Sequence, residues 1–334
     1  MEREARFWES KDGRVQCHLC PHECIIAEGK RGICGVRENQ DGRLISLIYA
    51  SCSSVHPDPI EKKPLYHFHP GTSALSLGTV GCNLRCLHCQ NFSISEADPD
   101  EYRMTELSPE QAVETAKRHG CQGIAYTYNE PSIWWEYTYD SAEVAKREGL
   151  YTAYVTNGFT SQEAIREIAP VLDAANIDVK SMSDDFYRDI CGARLQPVLD
   201  ACKTYLDEDV HIELTYLVIP GHNDRQEDIT AFSSWVTEEL DPDIPVHFSA
   251  FYPAHRMTDV PRTTKEQLLD AYDIAKEMAL QYVYLGNIPH GDYENTYCPQ
   301  CNELLIERHG FTAQIVGLDG TTCKKCGEDI PVVR

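Results

Sequence analysis

Short apolar runs alternate with longer amphipathic segments from about residue 73 to residue 285. The apolar runs are typical of buried strands and cover 74–80, 123–128, 151–156, 175–180, 211–219 and 245–251, with 282–285 as a seventh candidate. The segments between them carry apolar residues at helical spacing and cover 108–119, 132–148, 161–172, 195–207, 224–240 and 263–280. Capping signals support two of the helix starts, because Ser108-Pro109 precedes Gln111 and Ser161 precedes Ala164.

Repeated strand and helix units of this kind predict an α/β fold with a parallel sheet, closed completely or partly into a barrel. A doubly wound open sheet is the alternative, and the alternation alone does not separate the two. In a parallel barrel, functional residues lie on the loops at the carboxyl ends of the strands. Polar residues stand at several of these positions, namely Asn129 and Glu130, Asn157, Asp178 and Lys180, and the turn 220–224. The sequence therefore predicts a ligand site at this end of the sheet.

Three cysteines follow the first apolar run directly. Cys82, Cys86 and Cys89 have the spacing C-x3-C-x2-C. Three thiolates can hold three irons of a [4Fe–4S] cube and leave the fourth iron open for chemistry. A structural zinc knuckle is the alternative, but it requires C-x2-C pairs and a closed set of four ligands.

Residues 1–60 form a separate Cys-rich module. Its cysteines are Cys17, Cys20, Cys24 and Cys34. Because the segment holds few apolar residues, we expect a bound metal to supply its stability. Zinc with four thiolates and a second iron–sulfur cluster both fit this spacing, and zinc is the more economical of the two.

A proline-rich stretch and a second Cys-rich module flank the strand and helix region of 73–295. Three prolines between 57 and 64 exclude a regular helix or a central strand, and we interpret this stretch as an extended linker. Cys52, just before it, is a buried apolar thiol or, alternatively, a ligand or a redox-active thiol near the site. Residues 296–334 carry two C-x2-C pairs, formed by Cys298, Cys301, Cys323 and Cys326. These pairs predict a zinc-ribbon-like module with short strands at 304–306 and 313–316, and an iron–sulfur site is the alternative.

The acidic composition argues against some kinds of binding partner. The 334 residues carry a formal net charge of −23, which repels phosphate backbones and anionic lipid surfaces. No run of 18 apolar residues and no signal-peptide core occur, so we expect a cytoplasmic protein that binds neither membranes nor nucleic acid. The 15 cysteines are mostly clustered, which indicates metal ligands in a reducing compartment.

The C-x3-C-x2-C motif resembles the signature of the radical S-adenosylmethionine (SAM) enzymes. That resemblance implies a partial (β/α)6 TIM-like barrel with small Cys-rich metal-binding modules at both ends. It also implies a [4Fe–4S] cluster that cleaves SAM reductively to a 5′-deoxyadenosyl radical. Together with Asn129-Glu130-Pro131, Asp178-x-Lys180 and Ile219-Pro220-Gly221, the motif is similar to the activating enzymes of glycyl-radical enzymes, such as pyruvate formate-lyase activating enzyme.

Beyond the barrel, the cysteines of both end modules and the segment 58–65 resemble the radical SAM component of the AmmeMemoRadiSam system. This resemblance implies Memo-like and AMMECR1-like proteins or a protein substrate as partners, with a ferredoxin-type or flavodoxin-type electron donor. By position, the resemblance implies that the cluster is bound by Cys82, Cys86 and Cys89. It also implies that the ring of His88 flanks the adenine of SAM. Asn129 and Glu130 would contact the methionyl amino group of SAM. Asp178 and Lys180 would contact its ribose or its carboxylate. Asn157 is a further candidate for binding SAM.

We therefore expect a radical SAM enzyme of the oxidoreductase or activase type, which abstracts hydrogen from a peptide or small organic substrate. RNA modification by the same chemistry is one alternative, and the acidic composition counts against it. A non-enzymatic iron–sulfur and zinc scaffold is the other. It would leave Glu130, Asp178 and Lys180 without a shared role.

Overall fold

The N-terminal module consists of small antiparallel sheets. A computed structural model of the chain describes residues 2–288 and 291–334. The strands of this module are β1 (Arg3–Glu4), β2 (Trp8–Lys11), β3 (Arg14–Cys17), β4 (Ile25–Ile26), β5 (Arg37–Gln40), β6 (Arg43–Ser46) and β7 (Ser51–Cys52). They pair in the orders β1-β6-β5 and β2-β3-β4.

The apolar residues of the N-terminal module continue the core of the central domain. Val15, Leu19, Val36 and Leu44 are at most 2% exposed and belong to one cluster with the strands and helices that follow. Burial therefore contributes to the stability of this module, alongside the bound metal that the sequence predicts. Cys52 is 1% exposed in β7, and burial raises the pKa of its thiol to about 12, as expected for a buried apolar cysteine.

The central sheet has eight strands in the order β16-β15-β14-β13-β12-β11-β9-β8. The strands of this region are β8 (Ser54–Pro59), β9 (Ser73–Gly78), β10 (Thr105–Glu106), β11 (Gly123–Tyr126), β12 (Tyr151–Thr156), β13 (Ala174–Asp178), β14 (His211–Val218), β15 (Val246–Ala250) and β16 (Val283–Gly286). From β9 to β16 every pairing is parallel, and the strand order follows the chain. A doubly wound sheet reverses its strand order, so the structure selects the partial barrel.

Helices occupy the connections between the parallel strands. They are α1 (Phe92–Ser95), α2 (Pro109–Arg118), α3 (Trp135–Arg147), α4 (Gln162–Ile168), α5 (Asp184–Phe186), α6 (Gln196–Asp207), α7 (Gln226–Glu239) and α8 (Lys265–Glu277). The Ser108 side chain caps α2 by accepting from the amide of Gln111, and Ser161 caps α4, as the sequence predicts. None of the helices in the described residues is long and apolar enough to cross a lipid bilayer.

The proline-rich stretch is part of the central sheet. Residues 54–59 form β8, which pairs antiparallel with β9 at the edge of the sheet. An edge strand has a free side, so Pro57 and Pro59 lose no required hydrogen bond there. The sequence correctly excludes a central strand, but the predicted linker is wrong for these residues, because an edge strand also has an extended backbone.

The C-terminal module is built from β17 (Thr296–Tyr297), β18 (Leu304–His309), β19 (Thr312–Ile315), β20 (Leu318–Asp319) and β21 (Thr322–Cys323). The sheet β17-β18-β19 contains both predicted short strands. A buried polar cluster joins this module to the barrel. Glu213 on β14 accepts hydrogen bonds from the amide of His67 and from His247 Nε2, both at 2.7 Å. His67 Nε2 lies 2.7 Å from the hydroxyl of Tyr284, which also bonds Thr296.

Burial makes His67 a pH-sensitive element of this cluster, because it lowers the pKa of His67 to about 3. Below pH 6.5 the unfolded chain therefore binds a proton that the native protein does not, and stability falls as the pH falls. We expect the free energy of unfolding to drop between pH 6.5 and 5.0 by about 1.5 kcal/mol more in the wild type than in His67→Asn. Denaturant titrations at both pH values measure this difference. Equal pH dependence in the two proteins would contradict a neutral His67.

Candidate active site

The three central cysteines lie on the loop after β9, at the carboxyl end of the sheet. Cys82, Cys86 and Cys89 are all partly buried. The loop is fastened to the segment after β13, because the amides of Arg85 and Leu87 donate to carbonyls in the π-helix Tyr187–Cys191, at 2.8 and 2.9 Å. The position of the loop agrees with the sequence prediction.

Thiol spacing distinguishes two kinds of cysteine site in this chain. Within residues 2–288 and 291–334, only the thiols of Cys298, Cys301, Cys323 and Cys326 form a group of ligand atoms that all lie within 4.8 Å of one another. A single zinc holds tetrahedral thiolates about 4 Å apart. A cube that binds one thiolate at each iron holds them about 6 Å apart. The central thiols do not form such a group in the described part of the chain, which agrees with a cluster rather than a single zinc.

Nearby donors favour the thiolate form of Cys82. The amide of Leu84 lies 3.4 Å from its sulfur, and the side-chain amide of Asn157 lies 3.7 Å away. Burial raises the pKa of Cys82, so this thiol needs a bound cation to ionise near neutral pH. These features fit an iron-bound thiolate.

Asn129 and Glu130 hold the loops around the cysteines together. The Asn129 side chain accepts from the amide of Thr79 at 3.1 Å and donates to the carbonyl of Gly81 at 2.9 Å. Glu130 is 0% exposed and accepts from three donors of the loops after β11 and β12. These are the amide of Ser132 at 3.0 Å, the hydroxyl of Thr156 at 2.7 Å and the amide of Asn157 at 2.8 Å. Their assignment to the methionyl amino group stays a prediction.

Tyr128, just before these two residues, has a φ of +74°. This is the left-handed conformation that glycine adopts most easily. The Tyr128 hydroxyl donates to Asp58 at 2.6 Å, and Asp58 forms an ion pair with the buried ammonium of Lys63 at 2.8 Å. The segment 58–65 therefore supports a strained turn at the edge of the site.

Asp178 and Lys180 form an ion pair at the end of β13, with 2.9 Å between their charged atoms. The Asp178 side chain is 37% exposed and that of Lys180 is 13% exposed. Burial on its own would lower the pKa of Lys180, but the Asp178 carboxylate and the Cys86 thiol outweigh it and raise this pKa well above its usual value. The pair thus presents a partly buried cation beside Cys86 and a more exposed carboxylate.

His88 and Asn157 complete the predicted set. His88 is 4% exposed, and burial lowers its pKa to about 3, so its ring is neutral. Its role beside the adenine stays a prediction. Asn157 donates to the side chain of Asn83 at 2.9 Å as well as to Cys82, so it lies against the cysteine loop.

Cys191 is a site residue that the sequence did not reveal. It is fully buried at the end of the π-helix, and its hydrogen bond with Cys86 raises the pKa of the Cys86 thiol well above the usual value. Cys191 is a single cysteine followed by glycine, and this pair does not match a metal-binding motif. The widened helical turn that brings it to Cys86 cannot be recognised from local sequence.

Gly81 lets the N-terminal module pack against the cysteine loop. Its φ is +87°, and a Cβ atom there would lie 2.6 Å from Val36 Cγ1 and 2.7 Å from the carbonyl oxygen of Cys34. Gly120 provides a matched control, because it has a φ of +69° with no atom within 4 Å of its Cβ position. We expect Gly81→Ala to lower the free energy of unfolding by about 2 kcal/mol more than Gly120→Ala. Denaturant titration measures the difference, and equal losses would contradict the close contact.

The C-terminal thiols form a second candidate metal site. Cys298 and Cys326 have their sulfur atoms 3.5 Å apart, and Cys301 and Cys323 have theirs 3.7 Å apart. These distances fit four ligands around one ion. The structure thus brings together the four cysteines that the sequence assigns to this module.

Comparison with known proteins finds a matching family and several similar sequences. The radical SAM superfamily matches residues 76–232. The uncharacterized protein MJ0808 of Methanocaldococcus jannaschii is 47% identical over 334 residues, which is 99% of each chain. The pyruvate formate-lyase 1-activating enzyme of Escherichia coli is 27% identical over 150 residues, 43% of this chain and 60% of that enzyme. The chain thus spans less than two thirds of the activating enzyme's length.

Among solved structures, a radical SAM methyltransferase from Sphaerobacter thermophilus has a TM-score of 0.50 and 15% identity. The match covers 65% of this chain and 67% of the methyltransferase. At this level of identity the likeness shows the fold alone. It agrees with the partial barrel of parallel strands described above.

Proposed function

Because the chain belongs to the radical SAM superfamily, in the same family as the M. jannaschii protein, we propose that it removes a hydrogen atom from a peptide or small organic substrate. When bound, a [4Fe–4S] cluster gives one electron to the sulfonium of SAM, whose C–S bond breaks into methionine and a 5′-deoxyadenosyl radical. The observation that carries the proposal is the set of three thiols on the loop after β9, at the carboxyl end of the first parallel strand. Asn157 and the buried Lys180 lie beside them.

The chain's own residues would bind and orient the reactants. Cys82, Cys86 and Cys89 would each ligate one iron. The Lys180 ammonium would meet the carboxylate of SAM, because it is a partly buried cation beside Cys86. Its partner Asp178 is exposed enough to accept from the ribose hydroxyls. The neutral ring of His88 would flank the adenine.

SAM binding tests this function. The reconstituted protein is reduced anaerobically, and its electron paramagnetic resonance (EPR) spectrum is recorded with and without SAM. We expect the spectrum to change on addition of SAM, since a ligand joins an open iron. A fully liganded scaffold would give the same spectrum in both cases, and that result would overturn the proposal.

Lys180→Met probes the carboxylate contact. Removing a charge-assisted hydrogen bond should weaken SAM binding about 10- to 100-fold. Equilibrium dialysis with labelled SAM measures the dissociation constant. Lys203→Met is the control, because Lys203 pairs with Glu239 on the surface and its side chain is 43% exposed. Equal affinities in the two variants would exclude Lys180 as a SAM contact.

The finer assignment follows from resemblance to glycyl-radical activating enzymes and to the AmmeMemoRadiSam system. We place the reaction at a peptide position, such as a glycine Cα, with Memo-like and AMMECR1-like proteins as partners. A ferredoxin-type or flavodoxin-type protein would donate electrons in the cytoplasm. The short distances between the C-terminal thiols favour zinc in that module. Transfer of deuterium from a labelled peptide into 5′-deoxyadenosine would support the substrate class.

A further inference from the structure

The four cysteines of the N-terminal module surround one cavity. Cys17, Cys20, Cys24 and Cys34 all line this cavity, and its remaining wall is mainly apolar, with Leu19, Ile26 and Ile133 among its residues. We propose that this cavity holds a second [4Fe–4S] cluster, which passes single electrons to the cluster at Cys82, Cys86 and Cys89.

The spacing of the thiols supports a cluster over zinc. The C-terminal cysteines serve as an internal comparison, because their four sulfur atoms lie within 4.8 Å of one another. In the described part of the chain, no three of the N-terminal thiols form such a group, although all four line the same cavity. One zinc ion would need them about 4 Å apart. A cube, which places an iron at each thiolate, needs the wider arrangement.

The charge and hydrogen-bond donors around the cavity also suit a cluster. Arg37 lines it with a side chain that is 1% exposed, and among the described residues its Nε atom has no hydrogen-bond partner. A buried donor of this kind needs an acceptor, which a bridging sulfide or a thiolate would provide. Backbone amides of His22 and Val36 donate to the sulfurs of Cys20 and Cys34. Such donors stabilise the negative charge of ligated thiolates.

The cavity adjoins the central cysteine loop. His22 Nε2 lies 2.7 Å from the carbonyl oxygen of Asn83, the residue after Cys82. Ile133 lines the cavity and lies 3.2 Å from the Cβ position of Gly81, the residue before Cys82. Residues that line the cavity therefore contact the neighbours of Cys82 on both sides. Such proximity is what direct electron transfer between two clusters requires.

The other side of the cavity lies near the protein surface. Cys20, Cys24 and Cys34 are partly exposed, and Ile33 beside Cys34 is 45% exposed. An electron from an external donor would therefore enter at the N-terminal module. The N-terminal cluster would therefore lie between the external electron donor and the central cluster.

Each transfer moves one electron. A reductant of the ferredoxin or flavodoxin class loses one electron to the N-terminal cluster, which is oxidised again as the central cluster is reduced. One electron is consumed for each C–S bond of SAM that breaks. The relay role rests on the proposed function, whereas the presence of the cluster does not.

Metal counting and EPR of anaerobically reconstituted variants test the cluster. The wild type should hold about eight irons. A Cys82→Ala, Cys86→Ala and Cys89→Ala triple variant should keep about four irons, with a signal that ignores SAM. A Cys20→Ala and Cys24→Ala double variant should keep the four irons whose signal responds to SAM. Cys121→Ala, a buried cysteine outside both sites, is the control.

If the triple variant holds no iron and has zinc at its N-terminal thiols, the proposal of an N-terminal cluster is overturned. Because it leaves the N-terminal module intact, this variant decides the question even if the double variant fails to fold. Eight irons in a wild type that never cleaves SAM would instead overturn the proposed function alone.

The relay is tested by the ratio of flavodoxin-driven to dithionite-driven formation of 5′-deoxyadenosine. Dithionite is small enough to reach the central cluster directly, whereas a protein donor needs an entry point. The double variant should show a ratio at least tenfold below that of Cys121→Ala. Equal ratios in a double variant that has lost its N-terminal iron would overturn the relay.

Discussion

Replacing Cys86 by alanine should lower 5′-deoxyadenosine formation from SAM by at least about 1000-fold, because the central cluster loses one of its three anchors. Cys86 has two polar neighbours. Its thiol bonds Cys191, and Lys180 lies beside it. Product is measured chromatographically after anaerobic reduction.

The neighbouring Cys191 makes a second variant necessary. Its thiol is close enough to Cys86 to replace it as an iron ligand after the substitution. Residual activity in Cys86→Ala that disappears in a Cys86→Ala and Cys191→Ala double variant would identify this replacement. Cys121→Ala again serves as the control for loss of a buried thiol. Full activity in the double variant would contradict the assignment of Cys86 as an iron ligand.

Replacing Glu130 by glutamine should lower the free energy of unfolding by about 3 kcal/mol, because it removes charge-assisted hydrogen bonds in a fully buried place. The carboxylate accepts from three donors, so the new amide group must point at a donor of Ser132, Thr156 or Asn157. The loop carrying Asn157 then shifts away from Cys82, and SAM cleavage falls with the stability. Denaturant titration and the 5′-deoxyadenosine assay measure the two effects.

Glu114→Gln is the matched control for Glu130. Glu114 pairs with Arg118 on the surface and its side chain is 70% exposed, so its loss should change neither quantity. A Glu130→Gln protein of unchanged stability that binds SAM poorly would contradict the positioning role. That result would favour direct contact of Glu130 with the methionyl amino group.

The alternation of apolar and amphipathic segments predicted most of the barrel. The run 151–156 is β12 residue for residue, and the last run, 282–285, overlaps β16. These predictions hold because buried parallel strands and amphipathic helices are recognisable locally. The edge strand β8, which pairs with β9, was missed because its prolines hide the alternating pattern of a strand.

The candidate site was predictable where it depended on topology. Asn129, Asn157 and Lys180 lie far apart in sequence, but the carboxyl ends of parallel strands bring them to the same edge. Contacts that depend on side-chain direction were not predictable, such as the inward orientation of Glu130 and the position of Cys191. Likewise, cysteine spacing left zinc and iron–sulfur open for the N-terminal module, because both use thiolates. The iron and zinc contents of the reconstituted variants would separate the two metals.

Formation of 5′-deoxyadenosine and methionine by the reduced, reconstituted wild-type protein tests the central claim most directly. The assay is run with excess SAM, alone and with Memo-like and AMMECR1-like proteins added. We expect both products in equal amounts, and at least about 1000-fold less of both from Cys86→Ala. Intact SAM in the presence of a loaded and reduced central cluster, with and without these proteins, would contradict radical SAM chemistry in this chain.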